Sequence, residues 1–121
     1  MNIITSLILA TASWIALQDG EWTPSQKIVV HIQSDLESFV TQETAAQKKP
    51  LPTKFSEYTF QYQGREINGH KFVQINAFCQ KPEADLTKAL IIVADGGPCY
   101  FHVKYDPDTG KFYELSFNGV A

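Results

Sequence analysis

Apolar positions recur along this chain in two different rhythms. Between residues 24 and 45, Ile28, Val29, Ile32, Leu36, Phe39 and Val40 fall three or four apart, with Gln33, Ser34, Glu37 and Gln42 off that line. A period near 3.6 paints one apolar stripe on a helix and leaves the remaining surface wet. Thr23 stands where an N-cap belongs, Pro24 at the first helical position and Gln26 at the third, which together read as a capping box with a proline start. The predicted helix covers residues 24–45, and Pro50 and Pro52 beyond it exclude regular hydrogen bonding.

Downstream the rhythm shortens to two. Tyr58, Phe60 and Tyr62 alternate with Thr59, Gln61 and Gln63, predicting a strand at residues 55–63 with one wet face. A polar turn over 64–69 leads to a second strand at 71–79, with Val73, Ile75, Ala77 and Cys79 facing the core and Phe72, Gln74, Asn76 and Phe78 facing away. The stretch 89–119 reads as three further strands, at 90–94, at 99–105 and after Gly110. Tight turns join them at Asp95, Gly96, Gly97, Pro98 and at Asp106, Pro107, Asp108, Thr109, Gly110. One helix followed by a run of strands predicts an α+β domain, with an N-terminal helix packed on a four- to five-stranded, mainly antiparallel sheet. In outline that architecture resembles the cystatin-like and NTF2-like folds.

A chain of 121 residues with 44% hydrophobic content carries one core and is too short for two. Ten basic residues stand against thirteen acidic ones, for a formal charge of -3, and no basic run exceeds Lys48, Lys49. A nucleic-acid partner, which demands a basic patch or stripe, is therefore not expected. Residues 3–17 are almost wholly apolar or small and carry no charge. That length is short for a membrane span but suits the apolar region of an export leader, and Ala10, Thr11, Ala12 supply an A-x-A cleavage pattern. No Lys or Arg precedes Lys27, so the positive start of such a leader rests on the α-amino group. Residues 1–17 are accordingly read as a leader, with an ordinary N-terminal apolar helix or an uncleaved membrane anchor as the alternatives, and residues 18–121 as the domain.

Two short blocks look familiar. They are Ile75, Asn76, Ala77, Phe78, Cys79, and Asp95, Gly96, Gly97 with Cys99, Tyr100, Phe101 and the strand ending in Tyr105, Asp106. They resemble segments of small exported bacterial proteins, a resemblance that implies a periplasmic or secreted location and brings no activity with it. Cystatin inhibitors use a Q-x-V-x-G hairpin and a Pro-Trp hairpin. Here Gln61, Tyr62, Gln63, Gly64 falls one residue short of the first, and no Pro-Trp occurs. Inhibition is thus implied by fold analogy alone.

Candidate chemistry is sparse. Two cysteines in an exported chain, Cys79 and Cys99, invite a disulfide. In a simple meander through a strand at 90–94 they would sit at opposite ends of the sheet, separated by about 26 Å for eight strand residues. A bridge requires the Cys99 strand to pair directly with the Cys79 strand, while the loop after Cys79 runs back along the sheet. His31, His70 and His102 are scattered over a helix, a turn and a strand without metal-ligand spacing, so neither a metal nor a cofactor is expected. Asp95, Gly96, Gly97 lacks the lysine and helix of a phosphate loop, and Asp106, Asp108, Gly110 lacks the later ligands of a calcium loop. Glu57, Glu66, Glu83, Asp85 and Glu114 show no acid and base spacing, and no catalytic residue is assigned. Tyr100, His102 and Lys104, joined by Gln74 and Asn76 from a neighbouring strand, form the candidate face for a ligand or partner. The expected function is binding, as an inhibitor-like module with a protein partner in the cell envelope. A small NTF2-like enzyme or ligand carrier, with a pocket between helix and sheet, is the alternative.

Overall fold

The computed structural model describes residues 12–93 and 95–119. Strand β1 (Ser13–Ala16) is followed by helix α1 (Gln26–Gln47), then β2 (Thr59–Ile67), β3 (His70–Phe78), β4 (Tyr100–Asp106) and β5 (Lys111–Phe117). They form a five-stranded sheet in the order β1-β2-β3-β4-β5. Pairing is antiparallel from β2 to β5 and parallel between β1 and β2. A parallel pair needs a long crossover, which α1 supplies. The α+β class and the packing of α1 on one sheet face are as the hydrophobic pattern predicts.

Alternation in the strands separates two faces. Phe60, Val73, Ile75, Ala77, Phe101, Val103 and Tyr105 pack with Ile32, Leu36 and Val40 of α1 in one buried cluster. The interior between helix and sheet is therefore filled by side chains. Thr59, Gln61, Gln74, Asn76, His102 and Lys104 take the alternate positions, with Gln74 opposite Lys104 and Asn76 opposite His102 across β3 and β4.

Several boundaries move, each for a local reason. Ser25, not Thr23, caps α1, its Oγ accepting from the Ile28 N–H at 3.3 Å. Trp22 is still bridged to Gly64 of β2, so the chain is tied to the sheet until just before that cap. At the other end Lys48 adopts φ 55°, and the Lys48 and Lys49 N–H groups donate to the Ala45 and Thr44 carbonyls, closing the last turn. Residues Phe55–Glu57 form a short 3-10 turn rather than the start of a strand. Strand β2 then runs through Gly64 to Ile67, because the hairpin turn is only Asn68 and Gly69, at φ 52° and 78°. Asn-Gly is the pair that suits a two-residue turn with both residues left-handed.

Two corrections matter more. Residues 90–93 are not a strand, and Ala94 lies outside the described residues. β3 pairs directly with β4, so no slot between them is left for the predicted strand. At the other end of the chain, the segment 13–17 belongs to the folded domain. β1 lies beside β2 with Trp14 stacked on Phe60 at 4.2 Å between ring centroids, and Leu17 is buried. Ser13–Ala16, which fell within the segment read as a leader or an N-terminal helix, is strand and not helix. Most of the proposed leader, residues 1–11, lies outside the described residues. Among the described residues no helix is long and apolar enough to cross a membrane.

Candidate functional site

The direct β3–β4 pairing brings Cys79 and Cys99 together at one end of the sheet. Their Cα atoms are 5.0 Å apart and the sulfurs are bonded. The Cys79 N–H also donates to the Cys99 carbonyl at 2.9 Å. The disulfide thus closes the segment between them into a strap, and the strap crosses the sheet face opposite α1.

Three side-chain amides hold it there. Gln61 is fully buried, 0% exposed. Its Nε2 donates to the Leu86 and Ala89 carbonyls at 2.8 Å each, and its Oε1 accepts from the Ile91 N–H at 2.9 Å. Asn76 Nδ2 donates to the Ile91 carbonyl at 2.9 Å. Asn118, just past β5, donates to the Val93 carbonyl and, at 3.1 Å, to the Asp95 carbonyl. The carbonyls of Leu86, Ala89, Ile91, Val93 and Asp95 and the Ile91 N–H thus find side-chain partners in place of a β-ladder, as buried backbone groups require. Within the strap Leu86 is buried, whereas Ile92 is 92% exposed.

Between strap and sheet lies a cavity of about 360 Å³ lined by Arg65, Gln74, Asn76, Tyr100, His102, Asn118 and residues 90–93. Four of the five residues singled out for a binding face, Gln74, Asn76, Tyr100 and His102, line this space. The fold does bring them together, but under a roof rather than on an open sheet. Asn76 is committed to Ile91. Tyr100 lies against Phe78 and so close under Gly96 that a Cβ there would stand 2.3 Å from its ring. Gly96, at φ 103°, is the residue that makes that approach feasible.

Lys104 sits apart from the cavity, paired with Glu114 at 2.7 Å and with Nζ 5.0 Å from the Phe72 ring centre. A bulge creates that pair. The register slips between His102 and Lys104, placing Glu114 and Leu115 opposite Val103, and Glu114 takes φ 52°. Bulges re-aim side chains in this way. Arg65 shares its Nε–H between the two Glu21 oxygens at 3.0 and 3.1 Å, and that bond holds the Glu21 carboxyl below its ordinary range. Burial pushes the Tyr58 hydroxyl up to about 12, and it donates to the Pro98 carbonyl at 3.0 Å, beside the disulfide.

No family model, curated protein or solved structure matches the chain. Function has to be read from the geometry itself. His31 pairs with Asp35 at 2.8 Å on the exposed side of α1, away from the strap. Among the described residues no three His, Cys, Asp or Glu side chains converge on a metal-sized space. A second hollow, about 440 Å³, lies at the rim between α1 and the turn before β5, lined by Asp35, Phe39, Gln42, Lys111 and Phe112. It is peripheral to the filled interior.

The strap anchors Gln61 and Asn118, and the exposed Ile92 of the strap, escaped the sequence reading. Gln61 alternates with Phe60 and Tyr62 and so reads as a wet position, and Asn118 lies past the last strand. The one available signal was the pair of cysteines, because a bridge between them forces the intervening chain across the sheet.

Proposed function

We propose that the protein is an exported binding module of inhibitor-like type, acting on a protein partner through the strap. The observation that carries this reading is Ile92, 92% exposed on a segment whose neighbours are held in place on both sides. A lone exposed aliphatic side chain is ordinary on a protein surface. A segment pre-organised by a disulfide and three amide side chains is not, because ordering in advance removes the entropy cost that a flexible loop incurs on binding. The partner is expected in the cell envelope, since a disulfide persists in an oxidising compartment. An A-x-A cut after Ala12 would leave Ser13, the first residue of β1, as the new N-terminus with the sheet intact.

A photo-reactive residue placed at position 92, and in a second preparation at exposed Val30 on α1, tests the reading in envelope extracts. A discrete protein adduct at 92 and none at 30 is the expected result. Equal labelling at the two positions, or none at either, refutes it.

A further inference from the structure

We infer that the strap is a substrate-like inhibitory loop, and that its partner is an endopeptidase of the elastase type, with a small apolar pocket for a branched aliphatic side chain. The inference rests on the partner-binding reading above and names the partner's class.

Endopeptidases take a segment as an extended chain, pairing with its main chain and seating one side chain in a pocket. The strap meets these requirements around one residue. Ile92 is 92% exposed, while the carbonyl on either side of it is bonded, Ile91 O to Asn76 and Val93 O to Asn118. The Ile91 N–H is bonded as well, to Gln61. In an extended chain, groups held at one residue and at the next but one point to one side, and the N–H and carbonyl of the residue between them point to the other. Among the described residues neither the N–H nor the carbonyl of Ile92 has a hydrogen-bond partner, so a docking enzyme finds an anchoring side chain and open main chain at the same residue.

The same anchors explain why such a loop would inhibit rather than be consumed. Hydrolysis of the Ile92–Val93 bond takes up one water and leaves a carboxylate on Ile92 and an amine on Val93. On the amino-terminal side the cut chain stays bonded to Gln61 and Asn76, and on the other to Asn118, with Cys79–Cys99 joining the two halves covalently. The new amine cannot diffuse away from the acyl group, so the reverse step competes as an intramolecular one. Side-chain chemistry then selects the enzyme class. An aliphatic residue fits an apolar pocket and leaves the buried carboxylate of a trypsin-type pocket unpaired.

Inhibition assays of the full, oxidised chain against an elastase-type and a trypsin-type serine endopeptidase, each with a chromogenic substrate, test this directly. Wild type is expected to inhibit the first only. Ile92→Lys should lose about 100-fold against the elastase type and gain inhibition of the trypsin type. Asn118→Ala should speed cleavage at Ile92–Val93 by about tenfold, with the folded sheet retained as read by circular dichroism. Failure of wild type to inhibit, failure of Ile92→Lys to switch specificity, or rapid cutting of wild type with no inhibition overturns the inference. If the photo-adduct at position 92 still forms, only the endopeptidase class falls; if the adduct is absent as well, the partner-binding reading falls with it.

Discussion

Replacing Gln61 by Leu removes the largest single anchor of the strap without changing the strand that carries it. Gln61 makes three hydrogen bonds at 2.8, 2.8 and 2.9 Å in a site with no solvent exposure. At a net worth of about 1 kcal/mol each, the loss is about 3 kcal/mol if strap and sheet open together. Two carbonyls and one N–H would otherwise stay buried without partners. The strap can escape that penalty by lifting into water, so part of the cost is expected as local opening. Urea unfolding of the oxidised protein should show a loss of about 2 to 3 kcal/mol. Hydrogen exchange at the Ile91 amide should accelerate by about 30-fold or more, as a loss of about 2 kcal/mol implies. The exchange of β3 and β4 amides should rise only with the global stability. Gln61→Glu sharpens the test, because an ionised carboxylate would face the Leu86 and Ala89 carbonyls with no proton to donate. Burial raises the pKa of such a carboxyl, so this variant should regain stability as pH falls through that raised value and lose it as pH rises. Unfolding of Gln61→Leu within about 0.5 kcal/mol of wild type, with unchanged exchange at Ile91, would refute the role assigned to Gln61.

Three other outcomes follow from the same structure. Reducing the Cys79–Cys99 bridge, or replacing both cysteines by serine, should lower stability by about 3 kcal/mol for a loop of this length, measured by denaturant unfolding with and without reductant. Cleavage by a broad-specificity protease should then begin within the strap. Gly64→Ala places a Cβ 2.1 Å from the Trp22 carbonyl, a main-chain atom that cannot swing aside, so a loss of about 2 to 3 kcal/mol in thermal unfolding is expected. A melting point like that of wild type would show that the Trp22–Gly64 bridge yields easily. The Tyr58 hydroxyl, ordinarily near 10.0, is pushed up to about 12 by burial, which means the fold favours the neutral phenol. Stability from this group is complete below about pH 10 and falls by about 2 kcal/mol as pH rises toward 12. Tyr58→Phe should flatten that alkaline loss in unfolding curves, and an unchanged slope would argue against it.

Local chemistry determined much of this molecule before any tertiary contact was known. The three-and-four spacing of Ile32, Leu36 and Val40 defines a helix with one buried stripe. The alternation of Val73, Ile75 and Ala77 defines a half-buried strand, and Asn68-Gly69 and Asp106 to Gly110 are turns by composition. These signals depend on neighbours within a few residues, where backbone preference and solvation dominate. The strap obeys a different logic. Leu90, Ile91, Ile92 and Val93 have the composition of a strand, yet β4 already occupies the place beside β3, and main-chain partners come instead from Gln61, Asn76 and Asn118.

Likewise β1 looks like the end of an apolar leader until its parallel pairing with β2, across the whole length of α1, makes it part of the sheet. Gln61 reads as a wet-face residue because alternation alone cannot tell whether a distant loop will cover that face. Composition and periodicity therefore determined the class of the fold and most of its elements. Which face was roofed, and that Ile92 stands exposed on the strap, depended on pairings far apart in the chain that only the folded sheet and its disulfide decide.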